Sequence, residues 1–144
     1  MKKLLLLAVL VLISFSANAQ LNVTSTTTNS LEKVATLSME WVWLYQDSDG
    51  FYLTAKSQNQ FDDWVWLRLG SDKDSCLRSL SDLQTILESE NKVITVKGKT
   101  ESIRISSANI LGSKQIWMKT EGNCDYAPVT SAAIKKAIKY FNKL

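Results

Sequence analysis

The chain has 144 residues, with 17 Lys and Arg, 14 Asp and Glu, no histidine and two cysteines. Without histidine there is no Cys–His or Ser–His nucleophile, and zinc and general-base schemes lose their commonest residue. The formal charge of +3 is too small for a nucleic-acid footprint.

Residues 1–19 read as a cleaved signal peptide. Lys2 and Lys3 precede an apolar run from Leu4 to Ile13, too short to span a bilayer, and Ala17-Asn18-Ala19 offers a small-x-small cleavage site before Gln20. No cysteine follows for lipid attachment. The pattern is bacterial, so the mature chain is expected to be periplasmic or secreted, without a transmembrane helix. Loss of Lys2 and Lys3 leaves 15 basic against 14 acidic residues. They are unevenly placed: residues 20–90 hold 5 basic and 11 acidic, residues 91–144 hold 10 and 3. Such halves attract, within one chain or between two copies.

Residues 20–33 form a polar lead-in rich in Thr, Ser and Asn, with too little apolar content to fold alone. Residues 34–144 suffice for a single domain. The alternating run Leu37, Met39, Trp41, Trp43, Tyr45 predicts one long strand with these five on the core face. Asp47-Ser48-Asp49-Gly50 predicts a hairpin turn, Phe51 to Lys56 a second strand and Phe61 to Leu69 a third. The period then changes. Cys76, Leu80, Leu83 and Leu87 fall at helical spacing, predicting a helix over about 73–89 with a capping box from Ser71 to Asp74. The order repeats: strands over 92–96, 101–107 and 114–120, then a helical stripe of Ile134, Ala137, Ile138 and Phe141 after Pro128.

The expected fold is therefore α+β. Two βββα pseudo-repeats, about 41–90 and 92–141, form a mostly antiparallel sheet with both helices on one face; two sheets, or a long first strand curving around a helix, are the alternatives. A shift of 51 aligns Trp66 with Trp117 and Leu67 with Met118, but only three aligned positions are identical, so the likeness lies in pattern. In an oxidising compartment the two cysteines, Cys76 and Cys124, are expected to form a disulfide.

Period-2 geometry sorts the third strand of each repeat. Val65, Leu67 and Leu69 oppose Trp64, Trp66 and Arg68, while Ile116 and Met118 oppose Trp117 and Lys119. The aliphatic side suits the helices, which places Trp64, Trp66, Arg68, Trp117 and Lys119 on the outer face as the candidate binding residues. Continued through the other strands, this makes the first unit's outer face apolar (Val42, Leu44, Phe51, Leu53) and the second's basic (Thr95, Lys97, Arg104, Gln115). Residues 20–36 or a second copy of the chain could cover the apolar part.

Several motifs carry no chemistry. Gly98-Lys99-Thr100 ends like a phosphate-binding loop, but Val93 stands where the first glycine belongs, and the segment joins two strands. Asp47-Ser48-Asp49-Gly50 lacks the glutamate that closes a calcium loop. Asp62 and Asp63 point oppositely on a strand and cannot act as a carboxylate pair. Lys135, Lys136, Lys139 and Lys143 read as the solvated face of a core helix. The function this pattern supports is a small exported binding module without catalysis or cofactor. Its aromatic and cationic sheet face would meet a protein or glycan of the cell envelope. The rivals are a structural envelope protein and a carboxylate-based hydrolase.

Overall fold

The computed structural model describes residues 30–39, 41–58, 63–89, 92–122 and 125–144. The segment expected to be a signal peptide, most of the polar lead-in and Cys124 lie outside these. The described chain runs β1 (Glu32–Ser38), β2 (Val42–Asp47), β3 (Gly50–Lys56), β4 (Trp64–Gly70), α1 (Lys73–Glu88), β5 (Val93–Lys97), β6 (Ser102–Ile110), β7 (Ser113–Thr120), β8 (Ala127–Thr130) and α2 (Ser131–Lys143). It is an α+β protein whose strands form two antiparallel sheets, β1-β2-β3-β4 and β5-β6-β7-β8, in place of the single sheet expected.

Each half keeps the expected three strands and a helix and adds a strand at an outer edge. The predicted long first strand is two strands, because the chain turns at Met39–Trp41, where the Trp41 N–H donates to the Ser38 carbonyl. Met39 and Trp41 are consequently exposed, and only Leu37 of that run reaches the core. The second addition, β8, lies between β7 and α2, so α2 begins 58 residues after α1 (Ser131 against Lys73) and not 51.

The turn at Asp47–Gly50 forms as predicted. Asp47 Oδ1 accepts from the Asp49 N–H at 2.8 Å, and Gly50 adopts φ 133°. A Cβ there would lie 2.2 Å from the Gly70 carbonyl oxygen, so only glycine fits. The α1 cap is displaced by one residue from the expected Ser71–Asp74 box. Asp72 Oδ1 accepts from the Ser75 N–H at 2.8 Å, and Ser75 Oγ accepts from the Asp72 N–H at 3.2 Å. Thr130 caps α2 through the Ala133 N–H.

One apolar core joins both sheets and both helices. Helix α1 packs on β4, β6 and β7, and α2 packs on β1, β7 and β8. The α2 stripe of Ala133, Ile134, Ala137 and Phe141 is fully buried while Lys135, Lys136 and Lys139 are exposed, so the apolar side of this helix is filled by the core. Among the described residues no helix is long and apolar enough to cross a membrane.

Candidate functional site

Strand β4 sets the phase of the first sheet. Val65, Leu67 and Leu69 are buried, Trp64 and Trp66 are half-buried and Arg68 is exposed, as alternation predicts. Cross-strand partners share a face. Leu67 pairs with Leu53 and Leu53 with Leu44; Val65 pairs with Ala55 and Ala55 with Val42. Val42, Leu44 and Leu53 therefore follow β4 into the core, with Phe51 packed edge-on against Phe141 at 5.0 Å. These four were expected outside. The same pairing turns Trp43 and Tyr45, expected in the core, onto the outer face beside Tyr52, Thr54 and Lys56.

The outer face of the first sheet is thus aromatic. Trp43 stacks on Trp64 with centroids 4.3 Å apart, and Tyr45 meets Trp66 at 5.1 Å. In register, Trp43 lies in the row of Thr54 and Trp66. Each β2 ring therefore reaches diagonally to the β4 ring of the next row, across β3, a span open to large side chains. The rings close over Thr54, which is fully buried although it faces away from the helices.

Cations frame this layer. Lys33 Nζ lies 3.8 Å from the Trp43 centroid. Trp64 and Lys33 thus both pack on the Trp43 ring. Its Nε1–H is buried without an acceptor. Lys99 lies over Tyr52 at 4.7 Å and over Trp66 at 5.4 Å, and Lys56 over Trp41 at 5.2 Å. Arg68, a predicted site residue, donates from Nη2 to the Asp49 carbonyl at 2.8 Å, tying β4 to the hairpin turn.

The Gly98-Lys99-Thr100 segment is a turn, as read from the sequence, but it also joins the two sheets. Gly98 forms a bridge with Leu67, and the Lys99 N–H donates to the Trp66 carbonyl at 3.0 Å. Lys99 Nζ pairs with Asp47 Oδ2 at 2.8 Å. Burial pushes the Asp47 carboxyl up, but the Lys99 hydrogen bond and charge and the N–H groups of Asp49 and Gly50 outweigh it, so the pKa lies below its ordinary value.

The other two predicted residues, Trp117 and Lys119, lie on the outer face of the second sheet. There Trp117 meets Tyr126 at 4.7 Å, and Lys119 Nζ lies 5.3 Å from the same tyrosine. The basic side expected for this unit is present, with Thr95, Lys97 and Arg104 exposed. The five candidates thus fall into two clusters, one on each sheet. Sequence reasoning missed Lys33, Trp43, Tyr45 and Lys99 as outer-face residues.

Cys76 is a free thiol, fully buried near the start of α1, and burial pushes its pKa up to about 11. Its expected partner, Cys124, lies outside the described residues. No family model, curated protein or solved structure was found to match this chain.

Proposed function

We propose that this is a non-catalytic binding module of the cell envelope, exported under its N-terminal signal, which docks a protein partner on the outer face of the first sheet. The observation that carries this reading is the cation-framed ring layer of Trp43, Tyr45, Trp64 and Trp66 on the side away from the helices. Tryptophan, tyrosine and arginine dominate binding hot spots, where large rigid rings meet a partner at small entropic cost. A protein surface suits the geometry better than a sugar ring. Trp43 already packs against Trp64 and Lys33, and Lys99 lies over Trp66, so the layer offers ring edges and cations more than open ring faces.

A photo-crosslinking residue in place of Trp64 tests this, with the same residue in place of Lys135 on α2 as the control. Irradiation in envelope extract should yield protein adducts from position 64 and not from position 135. Equal labelling at both positions, or none at 64, would overturn the reading.

A further inference from the structure

The second sheet carries a separate feature that the docking proposal does not use. On its outer face Thr95, Arg104 and Lys119 form one cross-strand row, Thr95 opposite Arg104 and Arg104 opposite Lys119. Two cations placed directly opposite each other on a sheet repel and destabilise it. Among the described residues neither is neutralised: Arg104 and Lys119 form no ion pair, and Glu121, a carboxylate lining the same depression, pairs with neither. The row floors an open depression of about 500 Å³. Ser102 adds a hydroxyl to its lining, and Val93 an apolar wall. That volume suits a small molecule more than a bare ion. An uncompensated cation pair in a concave, hydroxyl-lined site concentrates positive potential where an anion would relieve the repulsion.

We propose that this depression binds the oxyanion group, carboxylate or phosphate, of a small polar ligand. Arg104 supplies the planar fork that matches two oxygens of such a group, and Lys119 supplies a mobile point charge. The hydroxyls of Thr95 and Ser102 serve the ligand's remaining polar groups. The site stands on pairing register and charge alone, so it holds whether or not the aromatic face docks a protein.

The test is an amide chemical-shift titration of the mature protein with galacturonate, with glucose 6-phosphate and with neutral glucose, each against sodium chloride at equal ionic strength. At least one anion should give saturable shifts at Thr95, Ser102 and Arg104, and glucose none. The anion that responds distinguishes a carboxylate from a phosphate ligand. Arg104→Gln with Lys119→Gln should weaken binding by about tenfold or more. The same pair should leave the melting temperature of the free protein unchanged or raised, because the repulsion is gone. Arg104→Lys, which keeps the charge and the fold but loses the fork, should bind at intermediate strength. Shifts no larger than those from sodium chloride, an equal response to glucose, or full binding by the doubly substituted protein would each overturn the proposal.

Discussion

Lys99 places its ammonium 2.8 Å from Asp47 Oδ2 across 52 residues of sequence, joining the turn of one hairpin to the turn of another. The carboxylate side chain is only 3% exposed, so its charge is balanced mainly by this lysine and by backbone N–H groups. The pair also joins the acidic half of the chain to the basic half, as does the exposed pair of Glu88 with Lys114 at 3.2 Å.

Removing Lys99 should leave a buried carboxylate underpaired. Lys99→Ala is expected to cost about 1–3 kcal/mol in a urea melt, allowing for partial exposure of the lysine. Lys114→Ala should cost little, because both members of its pair with Glu88 meet water. Equal losses from the two substitutions would remove Lys99 from its structural role.

The Asp47 pKa makes the same pair visible in acid. A carboxyl with a lowered folded pKa stabilises the fold above its unfolded value and loses that contribution as pH falls through the folded one. The unfolded reference is 3.8. Melting temperature should therefore drop progressively below about pH 4 in the parent protein, and less steeply in Asp47→Asn. Parallel acid slopes would show that this carboxylate is not responsible.

The two faces of the sheets predict different stability costs. Leu67→Ala should cost about 2–5 kcal/mol through the cavity it leaves, and Trp117→Ser less than about 1 kcal/mol. Trp66→Ser should fall between them, since its ring helps close over buried Thr54. Denaturant melts of the three variants check the order. A Trp117→Ser loss as large as that of Leu67→Ala would place that ring in the core.

As a free thiol Cys76 should react with a thiol reagent only after unfolding, because it is buried and its pKa is pushed up to about 11, whereas in the disulfide expected from the sequence it should not react until reduced. Titration of denatured, unreduced protein then measures the expected pairing with Cys124 directly. No titratable thiol means a disulfide, and two thiols mean none.

The β6–β7 turn offers a substitution that should stabilise. Leu111 is fully exposed and adopts φ 52°, a region that bulky side chains disfavour. Leu111→Gly should raise stability by about 0.5–1 kcal/mol, the strain relieved exceeding the flexibility gained by the unfolded chain. A loss of stability would mean that this side chain makes contacts worth more than the strain.

The phase of β4 and β7 was legible because each alternates aliphatic residues with tryptophan and a cation, and a core accepts the aliphatic set first. The phase of β2 was not. Ser38-Met39-Glu40-Trp41 contains no glycine or proline to mark a turn, and apolar residues continue the alternation straight through it. Pairing would have corrected the reading: once Val65 and Leu67 face inward, the short hairpin at Asp47–Gly50 carries Leu44 and Val42 inward too. Strand β8 is four residues long and contains Pro128, which reads as a break; at a sheet edge its missing N–H is harmless. Lys99 was legible as a turn residue, but its place over Tyr52 and Trp66 depends on how two sheets meet.

The packing of α2 onto β1 joins the last described helix to the first described strand, and Phe141 of the same helix is set against Phe51 of β3. A ribosome makes these partners in the order that delays their meeting. Until α2 has been synthesised, β1 and Phe51 have no lid, and the nascent chain holds an unfinished interior. Closure of the shared core therefore waits on the last-made helix, whatever the earlier strands do on their own.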